Sequence, residues 1–141
     1  MQTRNMKFKI DHIMIRVSNL EKSLHFYTNI LGMKVLRSRD YPDGKFTNVF
    51  IGYGDENKET ALELTYNWEQ NEPYEKGSAY GHIALVVDNL IETVSYLQNE
   101  GVRIKTGPKK MNYGTRLLAF ILDPDDYLIE IIEPINADIA N

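Results

Sequence analysis

The chain has 141 residues, 43% hydrophobic and 26% charged, the balance of one folded globular domain. Its 16 basic and 20 acidic residues give a formal charge of −4 with no Lys/Arg run, which argues against a nucleic-acid partner. No apolar stretch approaches the roughly 20 residues of a membrane span, and the absence of cysteine removes disulfides, thiol nucleophiles and thiolate metal sites.

The chain opens with MQTRNMKFKIDHIMIR, mixed in charge and without an apolar signal region, so a cytoplasmic protein is expected. Residues Asp11 to Leu20 alternate and are rich in Ile, Met and Val, which reads as a strand. Ser18-Asn19-Leu20-Glu21 has the spacing of a helix capping box. Leu20, Leu24, Tyr27 and Leu31 then recur at helical intervals, and Gly32 offers a left-handed stop. Three β-rich runs follow, Lys34–Arg39, Phe46–Tyr53 and Thr60–Tyr66, the first two separated by the turn Tyr41-Pro42-Asp43-Gly44.

The same order then repeats at an offset of 70, so that His12-Ile13 falls on His82-Ile83 and Asn19-Leu20 on Asn89-Leu90. The second helix carries Leu90, Val94 and Leu97, starts at Asn89-x-x-Glu92 and stops at Gly101. Its three strands are expected at Val102–Lys105, Arg116–Ile121 and Tyr127–Glu133, with a turn at Asp123-Pro124-Asp125-Asp126. The chain therefore reads as an α+β fold, a single domain over residues 1–141. It is built from two βαβββ modules, about 7–67 and about 79–134, joined through Asn67–Tyr80.

The repeat sets one histidine in the first strand of each module, His12 and His82. It also sets one glutamate between bulky apolar neighbours in each last strand, Glu63 and Glu130. Side chains alternate between strand faces, so His12 shares a face with Met14 and Arg16, and Glu63 with Ala61, Thr65 and Asn67. Glu130 falls on the face of Leu128 and Ile132, where a lone carboxylate is costly unless paired, neutralised or bound to metal. A single strand histidine is commonly just a hydrogen-bonded residue, and a single glutamate an edge-strand gatekeeper. Recurrence of the pair in both modules points instead to metal. Two imidazoles and two carboxylates suit Zn²⁺, Ni²⁺, Co²⁺, Mn²⁺ or Fe²⁺, with open positions for water or substrate. His25 has no counterpart in the repeat and reads as a surface residue.

The segments HIMIRV, FYT with LGMKVLR, FIGYG, ELTYNW, YGHIAL and AFILDPDDYLIEIIE make the chain resemble the vicinal-oxygen-chelate superfamily. More narrowly, it resembles glyoxalase I, the lactoylglutathione lyases of the compact bacterial type. ELTYNW followed by YGHIAL carries most of that specificity. The resemblance implies mixed sheets curled around a metal and a homodimer with active sites at its interface. His12 and Glu63 would come from one subunit, His82 and Glu130 from the other. It implies a substrate, the methylglyoxal–glutathione hemithioacetal, isomerised to S-D-lactoylglutathione through an enediolate. Glu130 would act as the base and Glu63 as the symmetric partner that takes part in reprotonation. One divalent metal per site is implied, Ni²⁺ or Co²⁺ favoured and Zn²⁺ possible, and Arg16 and Asn67 match residues that hold the glutamyl group. No membrane or nucleic acid enters.

Some positions depart from the family pattern. Asp126 stands where several members have glycine, and aspartate tolerates the left-handed turn required there. Ser78 replaces an arginine of longer members, so Lys109, Lys110 or Arg116 would have to supply charge for the glycyl carboxylate. The stretch Gly107–Gly114 resembles a mobile flap. Competing expectations are a thioester epimerase such as methylmalonyl-CoA epimerase, a dioxygenase, or a non-catalytic small-molecule-binding dimer of the same fold.

Overall fold

A computed structural model describes residues 5–135, which form eight strands and two helical segments in the order expected from the repeat. They divide into two compact units between Tyr74 and Glu75. In the first, β1 (His12–Arg16), β2 (Lys34–Tyr41), β3 (Phe46–Gly52) and β4 (Ala61–Asn67) make one sheet ordered β1-β4-β3-β2. In the second, β5 (Ile83–Val86), β6 (Arg103–Lys110), β7 (Leu117–Leu122) and β8 (Leu128–Ile132) repeat it as β5-β8-β7-β6. Each sheet is mixed: the first strand runs parallel to the last, and the other pairs are antiparallel. A parallel pair needs a long crossover, which the helix and two intervening strands provide in each unit.

Strand alternation separates the faces. In the first unit Ile15, Val17, Val49, Ile51, Leu62 and Leu64 are buried together with Phe26 and Tyr27 from the helical segment. In the second, α2 (Leu90–Asn99) buries Leu90, Val94 and Leu97 and packs on β6 and β7, while Ala119, Ile121, Ile129 and Ile131 are buried on the strands. Each such aliphatic side chain contributes about 1.5–3 kcal/mol by leaving water. The opposite faces are left for polar residues.

Three local expectations need correction. The first helix caps at Asn19, whose side chain accepts from the Lys22 amide at 3.0 Å, and not at Ser18. Asn89 does the same for the Glu92 amide at 3.0 Å, so the caps obey the repeat and the Ser-x-x-Glu spacing was misleading. The helix itself is α only over α1 (Leu20–Leu24) and winds as a π-helix through His25–Ile30. Within that stretch the Thr28 hydroxyl donates to the Leu24 carbonyl at 2.6 Å, occupying an acceptor of the α pattern, and the Leu31 amide reaches back to Phe26. His25 is exposed there, as expected.

The third correction concerns the expected flap. Its first part is strand: β6 runs to Lys110, with Lys109 and Lys110 paired to Leu118 and Leu117. A register shift between Thr106 and Lys109 takes in Gly107-Pro108, joined by a cis peptide, and so the pairing resumes beyond a residue that has no N–H to give. Both glycine stops hold, Gly32 and Gly101 each at φ 80°, and Asp126 takes φ 66° in a turn tied by Asp123, which accepts the Asp125 and Tyr127 amides. No helix among the described residues is long and apolar enough to cross a membrane.

The shared cap gives a test. Asn19→Ala and Asn89→Ala should each lower unfolding stability by about 1 kcal/mol in urea titration. An unchanged midpoint for Asn19→Ala would return the cap to Ser18.

Candidate metal centre

Parallel pairing of β1 with β4 sets His12 beside Ala61, Met14 beside Glu63 and Arg16 beside Thr65, all on the face away from the buried core. His12 and Glu63 meet there, Nε2 to Oε1 at 3.3 Å. In the second unit β5 pairs with β8, Ala84 beside Glu130, and His82 Nε2 lies 3.5 Å from Glu130 Oε1. The imidazoles are 37% and 39% exposed while their glutamates are only 12% and 14% exposed, so each pair is a sunk carboxylate under a half-open histidine.

A phenylalanine from the neighbouring strand seats each ring. Phe50, opposite Glu63 in β3, meets His12 edge-on with centroids 5.1 Å apart. Phe120, opposite Glu130 in β7, meets His82 at 5.2 Å with the same interplanar angle of 82°. Sequence reading passed over both, although the two phenylalanines obey the offset of 70 and could have been found by extending the repeat.

Asp11 was also missed. Its Oδ2 lies 2.7 Å from His12 Nδ1, and this hydrogen bond holds the Asp11 carboxyl below the ordinary carboxylate range. With the proton on Nδ1 donated to Asp11, Nε2 presents a lone pair to the Glu63 carboxylate. Two acceptors at 3.3 Å repel unless a proton or a metal ion stands between them. Two ligands held about 2.0–2.2 Å from one metal at tetrahedral or octahedral angles would themselves be about 3.0–3.5 Å apart. The residues present thus fit a divalent metal, by donor type and by spacing. The orienting carboxylate is asymmetric, because Gly81 occupies the matching position before His82.

The ligands come in pairs. Among the described residues no group of three or more His, Asp or Glu side chains is arranged to hold an ion. Of the two expected substrate residues, Arg16 lies exposed on the His12 face, in line with Thr65. Asn67, at the end of β4, donates from Nδ2 to the Tyr74 hydroxyl at 2.9 Å, which leaves its carbonyl oxygen available. Of the cations offered for a glycyl carboxylate, Arg116 is instead engaged with the Glu133 carbonyl at 2.9 and 3.2 Å, and Lys109 and Lys110 are exposed on β6.

Residues 9–131 match the model of the Glyoxalase/Bleomycin resistance protein/Dioxygenase superfamily. A lactoylglutathione lyase of Neisseria meningitidis serogroup A is 50% identical over 127 residues, spanning 90% of this chain and 91% of that protein. The trypanothione-dependent glyoxalase I of Leishmania major is 42% identical with a TM-score of 0.80, covering 90% of this chain and 87% of its own. Glyoxalase I of Zea mays is 37% identical with a TM-score of 0.83, and there 90% of this chain covers 47% of the maize chain.

If Asp11 orients His12, Asp11→Ala should weaken divalent-metal binding about tenfold in competition with a chromophoric chelator. An unchanged affinity would reduce Asp11 to a surface neighbour.

Proposed function

The chain belongs to the Glyoxalase/Bleomycin resistance protein/Dioxygenase superfamily and is a lactoylglutathione lyase, and from that premise we propose how its residues divide the work. It isomerises the hemithioacetal of methylglyoxal and glutathione to S-D-lactoylglutathione, a methylglyoxal-detoxifying reaction. The observation that carries the assignment of residues is the duplicated pair, His Nε2 facing Glu Oε1 at 3.3 and 3.5 Å. His12, Glu63, His82 and Glu130 are the ligands of one divalent metal, Ni²⁺ or Co²⁺ in preference to Zn²⁺. Bound there, the metal supplies the positive charge that offsets negative charge developing on the substrate's two adjacent oxygens.

Proton movement falls to the carboxylates. Glu130 takes the proton from C1 of the hemithioacetal, and the acid so formed returns a proton to C2, completing the isomerisation without any external oxidant or reductant. Glu63 is its counterpart from the other unit and shares in reprotonation. Arg16 grips the glutamyl carboxylate of the thiol, for which a guanidinium fork is suited. Asn67, its amide nitrogen committed to Tyr74, accepts from the glutamyl ammonium with its free carbonyl oxygen.

Each site is completed in a homodimer, His12 and Glu63 from one subunit with His82 and Glu130 of the partner subunit. Exposed apolar side chains on the outer strands support this: Ile13 of β1 is 47% and Val86 of β5 is 61% exposed. Such edges call for a cover. A cytoplasmic location fits the thiol substrate.

The test is to strip the protein with chelator and follow thioester formation by ultraviolet absorbance from methylglyoxal and glutathione while Ni²⁺, Co²⁺ or Zn²⁺ is added back. Activity should vanish on stripping and return best with Ni²⁺ or Co²⁺; full activity without metal would overturn the reading. Glu130→Gln should retain bound metal yet lose about 10²–10⁴-fold in turnover. Near wild-type turnover would remove Glu130 as the base.

A further inference from the structure

The face that carries His12 and Glu63 continues across β3 and β2, and there it is hollowed. Arg37, Ser38, Arg39, Tyr41, Asn48 and Phe50 line a cavity of about 150 Å³. Phe50 links it to the metal ligands, since its ring meets His12 at 5.1 Å and carries the Arg37 guanidinium 3.6 Å above its centroid. The cavity therefore opens beside the reacting end of any substrate held at His12.

Its lining is cationic. Arg37 is already committed, Nε donating to both Glu56 carboxylate oxygens at 3.0 and 3.2 Å. Arg39 has no carboxylate partner among the described residues and rests over the Tyr41 ring at 4.9 Å, so its hydrogen-bonding fork is unspent. Asn48, opposite Arg39 in the sheet, accepts the Thr65 hydroxyl at 2.9 Å and keeps its amide NH₂ as a donor. An anion with planar oxygens matches the unspent Arg39 fork, with the Asn48 amide as a second donor.

At the matching positions the second unit is different. The residue matching Asn48 at the repeat offset is Leu118, only 8% exposed, and β6 presents Thr106 opposite Phe120 where β2 presents Arg37 opposite Phe50. The chain has thus kept the ligand pair in both units but placed a cationic hollow beside one of them, which gives the site a direction.

We infer that this cavity binds a carboxylate of the enzyme's substrate, with Arg39 as the anchoring cation and Asn48 as a second donor. The inference rests on the lyase reading and refines its substrate class. Reach is adequate: Arg39 sits two strands from Glu63, about 10 Å at the usual strand spacing, and extended chain covers about 3.3–3.6 Å per residue. Two carboxylates could fill the cavity once Arg16 holds the glutamyl one: the glycyl carboxylate of the thiol tripeptide, or one carried on the 2-oxoaldehyde.

Wild type, Arg39→Ala and Arg39→Lys are compared by kcat/KM on three substrate pairs. These are methylglyoxal with glutathione, methylglyoxal with glutathione amidated at its glycyl carboxylate, and a 2-oxoaldehyde bearing a terminal carboxylate with glutathione. If the glycyl carboxylate occupies the cavity, amidation costs the wild type about tenfold or more and costs Arg39→Ala nothing further. If the aldehyde's carboxylate does, the wild type prefers the carboxylated aldehyde about tenfold, Arg39→Ala loses that preference, and amidation costs both alike. Arg39→Lys, which keeps charge without the fork, should fall between. A substitution that scales all three pairs equally, or none, overturns the inference while leaving the lyase standing. Silence of the wild type with methylglyoxal and glutathione under every metal would overturn both.

Discussion

The structure turns on one local contact made in each unit, an imidazole nitrogen set against a glutamate oxygen of the last strand. At His12 a second carboxylate stands close: Asp11 Oδ2 lies 2.7 Å from Nδ1, while Nε2 lies 3.3 Å from Glu63 Oε1. Such a contact is held by a proton or by a metal ion between the two groups. The rest of the sheet serves to keep it: parallel register brings β1 to β4, and Phe50 from β3 fixes the plane of the ring. His82, Glu130 and Phe120 reproduce the arrangement to within a few tenths of an ångström.

Duplication explains both what is alike and what is not. The buried faces of the two units repeat as Ile, Val and Leu, and the ligand pair repeats with them. The polar faces have diverged. The first unit holds Arg16, Asn67, Arg37, Arg39 and Asn48 on the side of its ligand pair, and the second holds Leu118, Ile132 and Val86 on the side of its own. The first unit thus carries charged and amide groups beside its pair, and the second is the more apolar around its own.

Much of this was legible in the chain because it is written in periodicity. Alternation located the strands, the offset of 70 paired the modules, and parity set His12 with Arg16 on one strand and Glu63 with Asn67 on another, which the β1–β4 register then brings to one face. What escaped depends on interactions that a one-dimensional pattern does not encode. The cap at Asn19 lost to a spacing signal at Ser18, although the repeat pointed to Asn19 all along. The Gly107-Pro108 pair looked like a loop, yet an irregularity in β6 lets the strand run through it. The cavity needed the cross-strand register of β2 on β3, which a bulge between Val35 and Arg37 sets and no alternation predicts.

In the proposed reading the two ligand pairs are halves of one site and not two sites. The most direct measurement is bound metal per chain, by elemental analysis after dialysis, for the wild type and for His12→Ala and His82→Ala. A shared site gives one ion per chain in the wild type and near-complete loss in either variant. Two ions per chain, with each variant losing only one, would contradict it.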